Sequence, residues 1–228
     1  MNHSRTHSHD LRLLTGGVDL FAAMVEAFDQ AQQEVRLETY IFDFAGAGAD
    51  IATALIRAAQ RGVKVFVVVD GVGTGNLPPS WRQQFTQAGV QLRVYEPAVG
   101  LGFWLPSRWR RLHRKLCVVD HTLAFCGGIN ILDDYLDPHV DGLLNAPRLD
   151  YAVSFRGPLV AAARDAMTQL WSRIEAVREL RSQSVGGVMD ALRTAPQRLQ
   201  LPSRGEMQLV LRDNVRHRAH IEDRKSVV

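Results

Sequence analysis

The chain has 228 residues, 46% of them apolar and 22% charged, with a formal net charge of +3. This is the composition of a globular protein with a substantial core, and two cysteines are too few for a disulfide-stapled scaffold. No segment approaches the roughly 18 apolar residues of a membrane span, and the polar start lacks the apolar stretch of a secretory signal. The small positive excess favours anionic partners such as phospholipid, nucleic acid or phosphorylated metabolites.

The first part of the chain alternates between strand and helix patterns. Residues 1–10 are polar, and we expect them to form a disordered tail. After them we predict strands at 11–14, 35–42, 63–69 and 90–95, and helices at 18–33, 51–60 and 78–88. The near-continuous apolar run at 63–69 is typical of a strand buried on both faces of a parallel sheet. The sequence therefore predicts an α/β fold with a mixed, mostly parallel sheet flanked by helices.

The segment at residues 100–111 is basic, aromatic and irregular, which is typical of a loop. One interpretation is that it attracts an anionic membrane surface, with Trp104 and Trp109 at the level of the headgroups. Another is that it binds nucleic acid through stacking and phosphate contacts, and a third is that it only covers the core. Its position directly before His113 favours contact with a substrate.

Shorter elements follow this loop. We predict strands at 116–119, 123–126 and 150–155, and a helix from Pro158 to about residue 174. The domain is therefore expected to span residues 11–175. Residues 176–205 are polar and contain two prolines, so we interpret them as a linker.

The opening pattern returns beyond the linker. Residues 206–222 repeat the strand, turn and helix start of the first domain, which indicates an internal duplication with a truncated second copy. Residues 223–228 read as the translation of a common sequencing adapter, so we expect a non-native tail; an ordinary charged tail is the alternative. On this interpretation the chain is the N-terminal part of a longer protein.

A constellation that carries chemistry lies at residues 113–130. His113 and Lys115 are two residues apart, so in a strand both side chains face the same side. An imidazole beside a fixed ammonium suits attack on a phosphodiester, where negative charge on phosphoryl oxygens must be stabilised. Asn130 follows two glycines, Gly127 and Gly128, which let the backbone turn closely, and it can add a hydrogen-bond donor.

The pattern H-x-K-x4-D-x6-G-G-x-N, from His113 to Asn130, resembles the signature of the phospholipase D superfamily at every named position. Four further segments resemble the bacterial cardiolipin synthase branch of that family: residues 37–42, 58–64, 69–71 and 150–158. The resemblance covers about residues 11–175 and implies a phospholipase D-like domain, one of the two halves of the usual bilobal enzyme.

The resemblance implies roles for particular residues. His113 is expected to attack phosphorus, while Lys115 and Asn130 hold the phosphoryl oxygens. Asp120 belongs to the motif, but its place at a turn indicates a mainly structural role. Asp150 is the candidate carboxylate that orients the imidazole. We expect the substrate-binding surface to include Gly127, Gly128, Glu38 and Arg114.

The implied reaction joins two phosphatidylglycerols into cardiolipin through a phosphohistidine, without metal or organic cofactor. The chemistry needs two histidines of this type, and the chain has one H-x-K-x4-D. The partner is then a missing second half or a second copy of the chain. The anionic phospholipid would be met at the cytoplasmic side of the bacterial membrane, by a peripheral protein that does not bind nucleic acid. The alternatives are a homodimeric nuclease or phosphodiesterase and an inactive lipid-binding fragment.

Overall fold

The computed structural model describes residues 10–95, 111–137 and 140–182. Its elements in chain order are β1 (Asp10–Thr15), α1 (Gly16–Gln30), β2 (Glu34–Thr39), α2 (Gly46–Gln60), β3 (Lys64–Asp70), α3 (Pro79–Ala88), β4 (Gln91–Tyr95), β5 (Leu116–Val119), β6 (Leu123–Gly127), β7 (Leu136–Asp137), β8 (Val140–Leu143), β9 (Tyr151–Arg156) and α4 (Leu159–Ser182). The alternation of strands and helices in the first 95 residues agrees with the prediction from hydrophobic periodicity.

Seven of the strands form one mixed sheet, in the order β1-β9-β6-β5-β2-β3-β4, while β7 and β8 form a separate ribbon. The pairs β2–β3 and β3–β4 are parallel, and the other four neighbouring pairs are antiparallel. The α/β class and the mixed sheet are confirmed, but the expectation that most pairs are parallel is wrong. Short connections such as the β5–β6 turn permit only antiparallel pairing, since a parallel pair needs a long crossover.

Helices cover both faces of this sheet. Helices α1, α2 and α3 pack on one face in the main core, and α4 packs on the other. Alternate residues of β3 divide between the two layers: Val65, Val67 and Val69 belong to the main core, whereas Val68 contacts the cluster that includes Leu170 of α4. Burial on both faces explains why β3 is almost continuously apolar.

Some predicted boundaries move. Helix α4 continues through residues 176–182, which the sequence analysis assigns to the linker, and β1 begins at Asp10, the last residue of the expected tail. The rest of that tail, the basic loop up to residue 110, the linker from residue 183, the start of a second domain and the expected non-native tail lie outside the described residues. Within the described ranges, no helix combines the length and the apolarity that crossing a bilayer requires.

Candidate active site

The residues of the motif gather at one edge of the sheet. The parallel strands β2 and β3 end at this edge, β6 also ends there, and the antiparallel strands β5 and β9 begin there. The crevice outside the carboxyl ends of parallel strands is the usual ligand site of open α/β sheets. The topology therefore brings together segments that are more than 100 residues apart in the chain.

His113 and Lys115 are neighbours in space. Lys115 Nζ lies 3.4 Å from His113 Nδ1 and 3.3 Å from His113 Nε2, so the ammonium faces the ring as a whole. His113 is exposed and Lys115 is partly buried. Because β5 begins only at Leu116, the expectation that both side chains project from one strand is wrong. The irregular segment before β5 nevertheless places the two side chains side by side.

Tyr40, which sequence reasoning missed, contacts both of these residues. Its ring centroid lies 5.2 Å from that of His113, and Lys115 Nζ lies 5.4 Å from the centroid of the Tyr40 ring. A cation at this distance from an aromatic face is attracted by the ring quadrupole. The one sequence signal for Tyr40 is its place in the segment 37–42 that resembles cardiolipin synthases.

Asp150 lies directly before β9, against Gly128. A Cβ atom at Gly128 would come within 2.9 Å of Asp150 Cγ and Oδ2, so a side chain there would collide with the carboxylate. Asp150 Oδ1 accepts a hydrogen bond of 2.7 Å from the Tyr151 N–H. Burial lowers the pKa of Lys115, and the negative charge of Asp150 opposes that shift. The structure thus couples Asp150 to Lys115; an orienting contact with His113 stays a prediction.

Asn130 and the two glycines lie at and just after the end of β6. Asn130 Oδ1 accepts a hydrogen bond of 3.2 Å from the Ile41 N–H, which ties the side chain to the end of β2. The remaining polar group of this side chain is its NH₂, the donor that a phosphoryl oxygen requires. A Cβ atom at Gly127 would lie 2.5 Å from Tyr151 O, so Gly127 permits the close approach of β6 and β9.

Glu38 and Arg114 form an ion pair beneath the site. Arg114 Nε lies 3.1 Å from Glu38 Oε2, and the Glu38 side chain is 1% exposed. The pair lacks hydrogen-bond geometry, and neither carboxylate oxygen has a hydrogen-bond partner among the described residues. Burial raises the pKa of Glu38 to about 7, and the positive charges of Arg114 and Arg36 oppose the rise. The pair attaches the residue between His113 and Lys115 to the central strand β2.

Asp120 lies at the other end of β5, away from His113. Its carboxylate accepts backbone N–H bonds from Gln32, Gln33 and Glu34 at 2.8, 2.8 and 3.0 Å. Burial raises the pKa of Asp120, but the N–H groups, that of Glu34 foremost, lower it below the ordinary value. Its φ of +46° is a left-handed conformation that Asp tolerates better than most residues. The contacts are those of a residue that joins the β5–β6 turn to the start of β2.

Asp70 is a second residue that sequence reasoning did not place in the site. It ends β3, is completely buried, and accepts a 2.7 Å hydrogen bond from the Leu112 N–H through Oδ2. Leu112 immediately precedes His113, and its side chain packs with Val68 and Leu170. The available sequence signals were a charged residue at the end of an otherwise apolar strand and its place in the segment 69–71 that resembles cardiolipin synthases.

Comparison with known proteins agrees with this site. Residues 24–144, just over half of the chain, match the family model described as "Cardiolipin synthase, PLD-like domain". The matched range includes His113, Lys115, Asp120 and Asn130, and it ends before Asp150.

Individual relatives give the same result. Cardiolipin synthase B of Salmonella typhimurium is 40% identical over 153 residues, which are 67% of this chain and 36% of that protein. Cardiolipin synthase B of Escherichia coli K12 is 32% identical over an alignment of 232 positions that covers 97% of this chain and 51% of that protein. The chain thus spans about a third to a half of the length of these relatives. Among solved structures, Nuc of Salmonella typhimurium, a phospholipase D family member, superposes with a TM-score of 0.50 at 20% identity, over 72% of this chain and 95% of that chain.

Proposed function

Because this chain belongs to the family of cardiolipin synthase, PLD-like domains, we propose that its site transfers phosphatidyl groups between phosphatidylglycerol molecules. The observation that carries the proposal is the contact of Lys115 Nζ with the imidazole of His113, at 3.3 to 3.4 Å. A preorganised ammonium at this position stabilises the negative charge of a phosphoryl group under attack by the imidazole.

The transfer takes place in two displacements at phosphorus. A ring nitrogen of His113 attacks the phosphodiester, the bond to the terminal glycerol oxygen breaks, and a second histidine protonates the departing glycerol. The hydroxyl of a second phosphatidylglycerol then attacks the phosphohistidine and gives its proton to the second histidine. The phosphorus–nitrogen bond breaks, cardiolipin leaves, and both histidines return to their starting states.

The other site residues support these steps. Lys115 and the Asn130 NH₂ group bind the non-bridging phosphoryl oxygens. The negative charge of Asp150 stabilises the imidazole as it becomes positively charged. Gly127 lets β6 and β9 approach closely, and Gly128 leaves room for the Asp150 carboxylate. Arg114, anchored to Glu38, adds positive charge beside the anionic lipid.

The second histidine comes from a second half of the site. The chain spans 51% of the Escherichia coli relative, which leaves room in a full-length protein for another domain of similar size. The partner of His113 is that domain, and a second copy of this chain is the alternative source. The assembled site works on phosphatidylglycerol at the cytoplasmic surface of a bacterial membrane.

The test uses the chain alone and the chain co-produced with the half of the Escherichia coli relative that it does not match. Each preparation is incubated with phosphatidylglycerol vesicles, and cardiolipin and free glycerol are measured by mass spectrometry. We expect equal amounts of both products from the paired preparation and none from its His113→Gln variant. Absence of both products from a correctly assembled pair would contradict the proposal.

The same preparations separate the alternatives. Cleavage of DNA by a dimer of the chain alone, with no lipid product, identifies a nuclease. Vesicle binding without either reaction, unchanged in His113→Gln, identifies an inactive lipid-binding fragment.

A further inference from the structure

Asp70 is the centre of a buried hydrogen-bond network at the end of β3. It is 0% exposed, and its two oxygens serve different segments. Oδ1 accepts the N–H groups of Val72 and Gly73 at 2.9 and 3.0 Å, whereas Oδ2 accepts the N–H of Leu112 at 2.7 Å. One carboxylate thereby joins the turn after β3 to the segment that carries His113, 42 residues later in the chain.

The turn after β3 in turn determines where Tyr40 lies. A Cβ atom at Gly73 would come 2.7 Å from Tyr40 Cε2 and 2.5 Å from Tyr40 O, so this backbone packs directly against the tyrosine. The Thr74 hydroxyl donates to Tyr40 O at 3.1 Å and accepts from the Phe42 N–H at 3.1 Å. The position of the Tyr40 ring beside His113 therefore depends on the conformation that Asp70 imposes on residues 72–74.

We propose that Asp70 is a positioning residue that sets the location of the His113 imidazole from two sides. Through Leu112 it fixes the backbone directly before His113, and through Gly73 it holds Tyr40 against the ring. The consequence for catalysis rests on the proposed function, whereas the positional effect on His113 does not.

A carboxylate is the group that this position requires. Three N–H donors converge on it, and an ionised Asp offers only acceptors. In Asp70→Asn one carboxylate oxygen is replaced by an NH₂ group. That NH₂ group then faces at least one of the backbone N–H groups that the oxygen accepted, and two donors cannot form a hydrogen bond with each other. A buried donor without an acceptor is costly, and the least constrained segment moves to relieve it. The volume of the side chain is almost unchanged, which separates this effect from a packing defect.

The first experiment compares Asp70→Asn with Glu34→Gln. Glu34 is also buried and binds Arg36 with two hydrogen bonds, at 2.9 and 3.0 Å, but it lies at the opposite end of β2. Glu34→Gln therefore lowers stability without touching the His113 segment. The imidazole signals are recorded by ¹H–¹⁵N and ¹H–¹³C NMR, and His113 is assigned by its loss in His113→Gln.

We expect Asp70→Asn to shift or broaden the His113 signals, and to give a His113 titration midpoint different from that of the wild type. We expect Glu34→Gln to leave both unchanged. Unchanged His113 signals in a folded Asp70→Asn variant overturn the inference. Equal effects of both variants also overturn it, because they indicate a general loss of stability. If Asp70→Asn does not fold, Thr74→Val, which removes the hydroxyl between Tyr40 and Phe42, is measured instead and must shift the His113 signals.

The second measurement is activity in the paired preparation. We expect Asp70→Asn to lower kcat about a hundredfold with less than a threefold change in KM, because a displacement of about 1 Å in a catalytic group costs about this much. Glu34→Gln should retain wild-type kcat per folded molecule. A wild type without lipid activity contradicts the proposed function alone, since the NMR comparison stands without it. A kcat for Asp70→Asn equal to that of Glu34→Gln contradicts the catalytic part of the inference.

Discussion

The carboxylate of Asp150 occupies the space that a side chain at Gly128 would fill, with Asp150 Cγ 2.9 Å from the position of the missing Cβ. Asp150 directly precedes β9 and Gly128 directly follows β6, so this contact forms where two antiparallel strands meet. The two glycines of the motif therefore have different purposes. Gly127 allows close packing of two backbones, whereas Gly128 makes room for a charge near Lys115.

The first prediction concerns Gly128→Ala. Because the Asp150 carboxylate ends a rotatable side chain, we expect it to turn away from the new methyl group rather than unfold the domain. The cost in stability should be about 1–2 kcal/mol, and the pKa of Lys115 should fall further below its ordinary value as the Asp150 charge moves away. Thermal unfolding and NMR titration of the Lys115 ammonium measure the two effects.

The control is a double-mutant cycle with Asp150→Ala. Without the carboxylate, Gly128→Ala should have little further effect on the pKa of Lys115, so the two substitutions should be strongly non-additive. Simple additivity shows that Gly128 does not act through Asp150.

The second prediction is that Asp150→Asn alone lowers the pKa of Lys115. Burial already lowers this pKa, and Asp150 provides a negative charge that raises it. Removal of that charge leaves the burial effect unopposed. The same NMR titration detects the change, and Asp29→Asn, which breaks an exposed ion pair with Arg57, is the matched control. An unaltered Lys115 pKa in Asp150→Asn is inconsistent with the coupling.

The third prediction follows from Glu38. Its pKa rises from 4.5 to about 7 on folding, mainly because of burial. A raised pKa means that the folded state prefers the protonated Glu38. The contribution of Glu38 to the free energy of unfolding is therefore greatest below about pH 4.5 and falls as the pH rises to about 7. Replacement by Gln removes this loss, and Glu38→Gln should gain about 3 kcal/mol relative to wild type between pH 4.5 and pH 8.

Urea unfolding of both proteins across this pH range measures that difference. Arg114 and Arg36 are present in both proteins, and their guanidinium groups stay charged throughout this pH range. They therefore do not contribute to the pH dependence of the difference. A difference between Glu38→Gln and wild type that is constant from pH 4.5 to pH 8 contradicts the assignment of the buried carboxyl.

How far the sequence predicts this site depends on the separation of the residues. The spacing of His113, Lys115 and Asn130 was informative because the chemistry needs these groups close together along a short hairpin. Tyr40 and Asp70 were missed because their contacts are non-local. The hydrogen bond from Leu112 to Asp70 spans 42 residues, and no local pattern encodes it.

In the fold, too, local features were predicted and non-local contacts were not. Periodicity located the helices and the buried strand β3, since burial on both faces leaves a continuous apolar run. The pairing of β9 with β1 and β6 was not predicted, and this is the source of the wrong expectation of a mostly parallel sheet. Strand partners depend on the packing of whole layers, which a local pattern does not specify.

The fourth prediction distinguishes a structural Asp120 from a catalytic one. Its pKa is below the ordinary value of 3.8, so its ionised form stabilises the folded state above that pH, and the contribution is lost as the pH falls through the lower folded pKa. Asp120→Asn should cost about 1–3 kcal/mol at pH 7, and the difference from wild type should vanish in acid.

Chemical denaturation at pH 7 and below pH 3 measures the change in stability, and activity per folded molecule is measured beside it. We expect that activity to stay within about threefold of the wild type, since the three backbone contacts of Asp120 lie at the start of β2. Lys115→Ala is measured in parallel as the catalytic reference. If Asp120→Asn loses as much activity as Lys115→Ala while its stability is unchanged, Asp120 belongs to the catalytic machinery instead.

The proposed function requires that His113 carries the phosphatidyl group during transfer. The most direct measurement is mass spectrometry of the paired preparation, quenched in alkali during turnover of phosphatidylglycerol. The proposed mechanism predicts an acid-labile phosphorus adduct on the peptide that contains His113, absent from His113→Gln. Lipid transfer with no adduct on His113, or with the adduct on another residue, would contradict it.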